Sequence, residues 1–232
     1  MNTNKKDRFE KISDDYAAMW NQVYAAQNLS YADFENSIFE QVAKIADFKN
    51  LPILDLGCGD GETSAEFIEA GCKNVTVFDL NQIMLDQCAA RFGDKVELVQ
   101  GDVTDLSRFA PGQFPVIITG ATFHNIPVEV RPKVWAEIKR LRPTLFVIGD
   151  KISDPNPAKQ AEYYDNEVAA INAVFGAKYG LADVAAEWVS HYEYDRREQL
   201  FVSEIEAALS DLYDINIVFE MGMIKTLSCQ LR

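Results

Sequence analysis

Short apolar runs alternate with helix-like segments along the chain from residue 53 onward. The runs are continuous rather than alternating in polarity, which is typical of strands buried on both faces of a parallel sheet. Several of the helix-like segments between them end at Gly or just before Pro. The pattern predicts an α/β fold in which helices cover a mostly parallel sheet. The five runs are Ile53–Leu56, Val75–Phe78, Val96–Val99, Val116–Thr119 and Leu145–Ile148.

Two further apolar runs lie near the C-terminus. Ile215–Phe219 and Ile224–Cys229 flank the stretch 220–223, whose Gly222 is typical of a hairpin turn. The hairpin adds an antiparallel pair at one edge of the sheet. The sequence therefore predicts a mixed seven-stranded sheet, mostly parallel with an antiparallel C-terminal hairpin, and helices on both faces.

The length of 232 residues favours a single domain. Residues 1–50 have helical periodicity and are predicted to form an N-terminal helical cap. Residues 155–210 interrupt the repeating units and are predicted to form a helical insertion. We expect both segments to lie over the active site at the open end of the sheet.

Composition and charge narrow the class of partner. The chain has 22 Lys and Arg against 36 Asp and Glu, and its net charge of -14 disfavours nucleic acid and anionic lipid. Residues 1–8 are polar and no stretch is long and apolar enough for a bilayer, so we expect neither a signal peptide nor a membrane anchor. The four cysteines have no Cys-x-x-Cys spacing, which indicates reduced thiols and a cytoplasmic location. With only two histidines to add to them, we expect no metal site.

The segment Asp55–Gly61 follows the first run and opens a helix-like segment. Glycine at positions 57, 59 and 61 lets the backbone adopt positive φ and approach a ligand closely, and the helix N-terminus beyond offers free N–H groups. A dinucleotide-binding turn would have its third glycine at position 62, where this chain has Glu62. The spacing Gly-x-Gly-x-Gly therefore disfavours a nicotinamide cofactor. A plain tight turn is the other alternative.

This segment resembles motif I of the class I, Rossmann-like S-adenosylmethionine-dependent methyltransferases, which runs close to E/D-x-G-x-G-x-G. The resemblance covers residues 50–150 best and implies a Rossmann-like sheet with S-adenosyl-L-methionine as the cofactor. It also implies that Asp55 and Gly57 face the methionine part of the cofactor. Gly59 and Gly61 would shape the turn, and Cys58 between them is included among the cofactor-binding residues.

A second signal stands at the end of the second run, where Asp79 follows Phe78. An acid at this position can accept hydrogen bonds from both ribose hydroxyls, and a carboxylate that ends a buried strand has little structural reason to be there. The stretch that follows resembles the family's adenine-side wall, with Leu80 and Met84 as cofactor contacts. Met84 in an ordinary helix core is the alternative.

Two further stretches resemble family motifs. Gly101-Asp102-Val103, after the third run, resembles the G-D motif, which implies that Asp102 accepts from the adenine amino group. A turn aspartate is the alternative. The fourth run ends at Gly120, which we include in the cofactor site, and relatives usually have a histidine soon afterwards. His124 is therefore expected near the methyl-transfer point, as a general base or as a hydrogen-bonded wall residue.

The flanking regions contain candidates for the acceptor side of the site. Residues 9–16 resemble the N-terminal F-x-x-I/A-x-x-Y stretch of small-molecule methyltransferases, which implies that Tyr16 comes near the sulfonium as a candidate catalytic residue. Trp20 continues the spacing as a candidate substrate contact, and a plain apolar helix face explains the pattern equally well. Three other residues are candidates for a polar substrate pocket, with loop packing as the alternative: Tyr163, Asp165 and His191.

These patterns predict a methyltransferase that transfers a methyl group from S-adenosylmethionine to a small-molecule oxygen, nitrogen or carbon nucleophile. The family's adenine-methylating marker, N/D-P-P-Y/F, would follow the fourth run, where Thr122–Asn125 stands instead. Three alternatives stay open. They are an enzyme that remodels the cofactor, a non-catalytic module that binds it, and a nicotinamide oxidoreductase.

Overall fold

A computed structural model describes the backbone from residue 16 to residue 232, and the side chains of residues 16, 17, 194 and 195 lie outside that description. The chain forms two compact units. The first combines the residues up to Ala32 with Asp154–Gln199, and the second combines Asp33–Ser153 with Leu200–Arg232.

The second unit contains a seven-stranded sheet with the strand order β3-β2-β1-β4-β5-β7-β6. Strands β1 to β5 are parallel, and β7 runs antiparallel to both β5 and β6. The predicted mixed sheet with its C-terminal hairpin is confirmed. The strands are β1 Ile53–Leu56, β2 Val75–Asp79, β3 Val96–Gln100, β4 Val116–Gly120, β5 Leu145–Lys151, β6 Tyr213–Met221 and β7 Ile224–Leu231.

Eight α-helices lie in the described part of the chain, together with short 3-10 turns at Phe48–Asn50, Gly93–Lys95 and Phe123–Asn125 and a π-helix at Asn172–Lys178. None of these helices combines the length and the apolar character that crossing a membrane requires. The α-helices are α1 Tyr16–Ala26, α2 Tyr31–Ala43, α3 Glu62–Glu69, α4 Gln82–Phe92, α5 Arg131–Leu141, α6 Pro157–Ile171, α7 Ala182–Asp195 and α8 Val202–Leu209.

The order of the strands reverses next to β1. The chain proceeds outward from β1 to β2 and β3 and then returns to place β4 on the other side of β1. In open α/β sheets, a ligand binds in the crevice outside the carboxyl ends of the strands at such a point. The segments that follow β1, β2 and β4 therefore meet at one end of the sheet.

Two helices of the second unit begin without a side-chain cap. α5 begins at Arg131, after the 3-10 turn at residues 123–125, and the preceding Val130 provides no side-chain cap. α8 begins at Val202, and the preceding Phe201 provides none either.

Glu204, in the first turn of α8, contacts α5. Its carboxylate accepts hydrogen bonds from the Arg131 guanidinium at 2.9 Å and from the Trp135 indole at 3.1 Å. Arg131 is fully buried and also donates to the carbonyl oxygen of Ile126 at 2.9 Å. A buried charge needs such partners, so this network fixes α8 against α5.

The first unit has an aromatic core of its own. The Trp20 ring packs edge-on against Trp188 with a centroid distance of 4.7 Å and against Phe175 at 5.8 Å. Tyr164 and Tyr192 extend the cluster, with ring centroids 6.3 Å apart. Such pairs add to the apolar area that the rings bury. The predicted single domain, with both helical segments over the active site, stays a prediction.

Candidate functional site

The glycine turn after β1 is joined to the end of β2. The N–H groups of Gly57 and Cys58 donate to the carbonyl oxygen of Phe78 at 2.7 and 3.1 Å. The turn closes with a hydrogen bond from Gly61 N–H to the Cys58 carbonyl oxygen at 2.9 Å, and α3 begins at the next residue. The turn predicted from the sequence is therefore present, between a buried strand and a helix N-terminus.

Gly57 is a position that requires glycine. Its φ is 72°, and a Cβ atom there would lie 2.3 Å from Cγ2 of Thr122. Thr122 belongs to the segment after β4, and its hydroxyl donates to the Gly57 carbonyl oxygen at 3.0 Å. The segments that follow β1 and β4 are thus in direct contact, as the strand order requires.

Asp79 lies at the end of β2 and is half-buried. Its Oδ2 accepts from the Gly59 N–H at 3.0 Å and its Oδ1 from the Asn81 N–H at 2.7 Å. Burial raises the pKa of this carboxyl, and the backbone hydrogen bonds from Asn81, Gly59 and Leu80 partly offset that rise. Because each carboxylate oxygen has two lone pairs, the carboxylate can still accept from a ligand hydroxyl.

Asp55 is fully buried on β1, directly before the turn. The Ser64 hydroxyl donates to its Oδ2 at 2.6 Å, whereas its buried Oδ1 has no hydrogen-bond partner within the described chain. Burial raises the pKa of Asp55 to about 7; the Ser64 hydrogen bond lowers it in part, and the charge of Asp79 adds to the rise. A buried, ionised carboxylate with one oxygen that lacks a hydrogen-bond partner is stabilised by a cation beside it.

The adenine-side residues lie around the end of β2. Leu80 directly follows Asp79 and is 68% exposed, which is unusual for a large apolar side chain. Met84 is half-buried and does not belong to the core face of α4, which consists of Leu85, Cys88 and Phe92. The predicted contact of Met84 with the adenine stays a prediction.

The predicted G-D motif lies beside Asp79. The Gly101 N–H donates to the Asp79 carbonyl oxygen at 3.0 Å, so the two segments adjoin. Asp102 is exposed, and its Oδ1 accepts from the N–H and the hydroxyl of Thr104 at 2.9 and 2.7 Å. Its local contacts are those of a turn aspartate. Val103 next to it is half-buried, and the cofactor roles of both residues stay predictions.

Cys58 connects the turn to α4. Its Sγ lies 4.0 Å from Sγ of Cys88, and the hydrogen bond between these thiols, together with burial, raises the Cys58 pKa. Gly61 also faces α4, because a Cβ atom there would lie 2.4 Å from the ring of Phe92. The turn is therefore held from α4 as well as from β2.

His124 lies in the 3-10 turn after β4 and pairs with Asp150 at the end of β5. Its Nδ1 is 2.6 Å from Oδ1 of Asp150, and its Nε2 is 2.9 Å from the side-chain nitrogen of Asn125. Asp150 is fully buried, and its Oδ2 also accepts from the backbone N–H groups of Thr122 and Phe123 at 3.0 and 2.6 Å. One carboxylate therefore fixes both the imidazole and the segment around it.

The sequence-based reasoning did not include Asp150 among the site residues. The sequence did contain a signal for it, because Asp150 stands near the carboxyl end of a buried strand, as Asp79 does. Gly120 at the end of β4 was included, and a Cβ atom there would lie 2.2 Å from the Thr63 hydroxyl of α3. The structure thus brings the predicted cofactor residues of β1, β2 and β4 to one end of the sheet.

The predicted acceptor-side residues belong to the first unit. Trp20 is buried in the aromatic core, and the Tyr16 side chain and the rest of the 9–16 stretch lie outside the described residues. Tyr163 is half-buried and Asp165 exposed; being two positions apart on α6, they face opposite ways. His191 is buried, with its ring 5.8 Å from that of Trp188. Their substrate roles stay predictions.

Comparison with known proteins adds a family match. Residues 53–143 match the family described as a methyltransferase domain. The ribosomal RNA small subunit methyltransferase A of Parabacteroides distasonis is 31% identical over 105 residues, which cover 44% of this chain and 37% of that protein. The match therefore spans well under half the length of that relative.

Solved structures with the same fold include two methyltransferases. One is the 1,6-didemethyltoxoflavin-N1-methyltransferase of Burkholderia thailandensis, crystallised with 1,6-didemethyltoxoflavin and S-adenosylhomocysteine. It is 16% identical to this chain, with a TM-score of 0.55, and the alignment covers 96% of this chain and 85% of that protein. A TehB-like SAM-dependent methyltransferase from Corynebacterium glutamicum is 18% identical with a TM-score of 0.58, over 96% of this chain and 100% of its own. At this identity the likeness concerns the fold.

Proposed function

Because residues 53–143 match a methyltransferase domain and the sheet is Rossmann-like, we propose that the chain transfers the methyl group of S-adenosylmethionine to a small-molecule oxygen, nitrogen or carbon nucleophile. One observation carries this proposal: the carboxylate of Asp79 accepts from the N–H of Gly59. It joins the glycine turn to the acid that would hold the ribose.

The methionine end of the cofactor fits the turn. Its ammonium group would stand near Asp55, whose Oδ1 has no hydrogen-bond partner among the described residues and whose burial leaves a negative charge poorly compensated. Its carboxylate would face N–H groups at the start of α3, where a helix favours an anion. Gly57 lets Thr122 pack against the turn, because Thr122 fills the space that a side chain at position 57 would need.

The nucleoside end fits the edge formed by β2 and the segment after β3. The Asp79 carboxylate retains acceptor capacity for a ribose hydroxyl beside its backbone hydrogen bonds. Leu80 and Met84 offer an apolar face to the adenine, and the strong exposure of Leu80 supports this use. Gly101, Asp102 and Val103 would border the ring from the other side, because Gly101 hydrogen-bonds to the backbone of Asp79.

When bound, S-adenosylmethionine supplies a methyl group made electrophilic by its positively charged sulfur. The residues of this chain would orient the methyl group and its acceptor in line and keep water away, which is where most of the rate of such a transfer arises. The turn suits this task because it is fixed from three directions, by Phe78, Thr122 and Cys88.

A small-molecule acceptor agrees better with the charge of the chain than a nucleic acid does. The Parabacteroides relative is an RNA methyltransferase by name, and RNA remains an outcome to be tested. However, a net charge of -14 repels a polyphosphate unless a local basic patch overrides it. The Burkholderia protein, with 1,6-didemethyltoxoflavin bound, is an example of this fold acting on a compact acceptor.

Three further parts of the proposal concern the whole chain. The two helical segments at 1–50 and 155–210 would cap one methyltransferase domain. Tyr16, Trp20, Tyr163, Asp165 and His191 would contribute to the acceptor pocket from those segments. All four cysteines are free thiols, which supports a cytoplasmic location.

Product analysis by mass spectrometry tests the function. The purified chain is incubated with methyl-labelled S-adenosylmethionine and either a small-molecule extract or ribosomal RNA. We expect the label in a small molecule. Label in RNA alone would show that the acceptor is RNA and not a small molecule. A cofactor of changed mass would indicate an enzyme that remodels the cofactor. Cofactor binding without label in any product would indicate a non-catalytic module, and oxidation of NADH would indicate an oxidoreductase.

A further inference from the structure

The hydrogen bonds around Asp150 fix the protonation of the His124 ring. The two oxygens of Asp150 accept from the backbone N–H groups of Thr122, Phe123 and Lys151. Oδ1 also lies 2.6 Å from Nδ1 of His124. A carboxylate that already receives three N–H donors accepts from its fourth partner as well, so Nδ1 carries the ring proton.

The opposite nitrogen of the ring is an acceptor. The side-chain nitrogen of Asn125 lies 2.9 Å from Nε2 of His124 and 3.3 Å from the carbonyl oxygen of Ala121. A carbonyl oxygen only accepts, so the amide presents its NH2 group on this side and also donates to Nε2. The imidazole is therefore neutral, with its proton on Nδ1 and a lone pair on Nε2.

The same carboxylate ties this ring to the glycine turn. Oδ2 of Asp150 accepts from the N–H of Thr122 at 3.0 Å, and the Thr122 hydroxyl donates to the Gly57 carbonyl oxygen at 3.0 Å. His124 is two residues further along the chain, and its side chain is 10% exposed. The lone pair of Nε2 is thus held at the end of the sheet where the turn lies.

We propose that His124 is the proton acceptor of the methyl-transfer site, that Asp150 positions it, and that the methyl acceptor therefore reacts through a hydroxyl group. This inference rests on the proposed function. A hydroxyl has to lose its proton as it is methylated, whereas an amine can keep its protons in the ammonium product, so an oriented Asp–His pair favours a hydroxyl. The hydroxyl takes the place at Nε2 that the Asn125 amide occupies.

The atoms and charges of this step balance without a further reactant. The acceptor oxygen forms a bond to the methyl carbon as the carbon–sulfur bond breaks, and the electron pair of that bond stays with sulfur. The hydroxyl proton passes to Nε2 of His124, and the carboxylate of Asp150 stabilises the resulting imidazolium. Release of this proton to water restores the neutral ring.

The tautomer of His124 is measurable without an acceptor or a cofactor. The chain has two histidines, so nitrogen-15 labelling gives two rings, and the ring that persists in His191→Gln is His124. Near neutral pH we expect a protonated Nδ1 and an unprotonated Nε2. A wild-type His124 ring protonated at Nε2 overturns the proposal, and this measurement does not depend on whether any Asp150 variant folds.

Asp150→Asn is expected to reverse the tautomer. Its amide oxygen stays with two of the three backbone N–H groups, those of Thr122 and Phe123, so its NH2 group faces Nδ1 and the ring proton moves to Nε2. Asp211→Asn is the matched control, because it removes an exposed carboxylate that pairs with Lys139. An unchanged tautomer in Asp150→Asn removes Asp150 as the positioning residue.

A panel of phenols and primary alcohols tests the acceptor class, with tertiary amines as matched probes that carry no proton. In the presence of S-adenosylhomocysteine, we expect at least one hydroxyl compound to shift the Nε2 resonance. The same compound should be methylated from S-adenosylmethionine, and His124→Gln should lower that rate at least about 100-fold. The assignment is overturned if no compound of the panel shifts the Nε2 resonance. It is also overturned if His124→Gln does not slow the methylation.

Failure of the proposed function gives a different result. In that case the wild-type chain does not bind S-adenosylhomocysteine, or it binds it and methylates no compound of the panel, tertiary amines included, whatever the tautomer of His124. If the proposed function holds and only this inference fails, His124→Gln and the wild type bind S-adenosylhomocysteine equally and methylate at equal rates.

Discussion

The Oδ2 atom of Asp79 accepts a hydrogen bond from the backbone N–H of Gly59, with 3.0 Å between oxygen and nitrogen. This contact joins the end of β2 to the turn after β1. The carboxylate that would hold the ribose therefore also fixes the shape of the turn that would hold the methionine part. The two halves of the proposed cofactor site depend on one side chain.

Asp79→Ala is expected to weaken binding of S-adenosylhomocysteine by about 10- to 100-fold, because hydrogen bonds to a charged group contribute roughly 1.5–3 kcal/mol each. Isothermal titration calorimetry measures the change. Asp214→Ala is the matched control, since it removes an exposed carboxylate of β6 that pairs with Arg232. Equal affinities of Asp79→Ala and the wild type would remove Asp79 from the site.

Asp55 is expected to lower the stability of the folded chain above neutral pH. Burial raises its pKa from 3.8 to about 7, so the folded state keeps a proton that the unfolded state releases. The free energy of unfolding therefore falls as the pH rises from about 4 to about 7. The shift of roughly three units corresponds to a loss of up to about 4 kcal/mol.

Asp55→Asn removes this titration and keeps an acceptor for the Ser64 hydroxyl. The gain in free energy of unfolding of the variant over the wild type should be more than twice as large at about pH 8 as at about pH 5, where only part of the loss has developed. Urea unfolding at both pH values measures the difference. A gain of the same size at both would show that Asp55 does not titrate between them.

The same carboxyl is expected to make cofactor binding depend on pH. An ammonium group beside Asp55 favours the ionised carboxylate, so the proton has to leave as the cofactor binds. The affinity for S-adenosylhomocysteine should rise about tenfold per pH unit below the pKa of about 7 and level off above it. Calorimetry in buffers of different ionisation enthalpy detects the released proton. A flat profile from about pH 5.5 to 7.5 would exclude this coupling.

Local patterns in the sequence were sufficient for the sheet and the turn. Four of the five parallel strands are buried on both faces for most of their length, and such strands are recognisable as continuous apolar runs. The fifth, β3, lies at the edge of the sheet and is mostly exposed, so its apolar run overstated its burial. The glycine spacing of the turn is equally local, because positive φ at Gly57 and Gly61 limits the residue type at each position.

The pairing of His124 with Asp150 could not be predicted in this way. The two residues are 26 positions apart and meet only because β4 and β5 align Thr119 with Ile148. A register is a property of the assembled sheet, and a slip by one residue would move every side chain to the other face. The sequence pattern therefore indicated His124 as a candidate without indicating its partner.

Helical spacing was similarly ambiguous for the aromatic residues of the first unit. The interval between Trp20 and Tyr24 suits both a ligand-facing stripe and a core-facing stripe. The structure places both side chains in a buried aromatic cluster, a result that depends on Trp188 and Phe175 more than 150 residues away. Periodicity defines a face but not what covers it.

Gly57→Ala is expected to destabilise the chain more than Gly59→Ala. Both residues have positive φ, 72° and 56°, so either alanine introduces about 1–2 kcal/mol of backbone strain. Only at position 57 would the new Cβ clash, with Thr122, whereas no described atom lies within 4 Å at position 59. The clash should add about 1–3 kcal/mol in urea unfolding. Equal losses at the two positions would contradict the close packing of Thr122 on the turn.

Calorimetric titration of the wild-type chain with S-adenosylhomocysteine tests the central claim most directly, because it needs no knowledge of the acceptor. Binding with one site per chain is expected, in a complex that Asp79→Ala weakens and Asp214→Ala does not. NADH titrated in parallel should give no binding heat. The absence of binding heat with S-adenosylhomocysteine and with S-adenosylmethionine would contradict the proposed function.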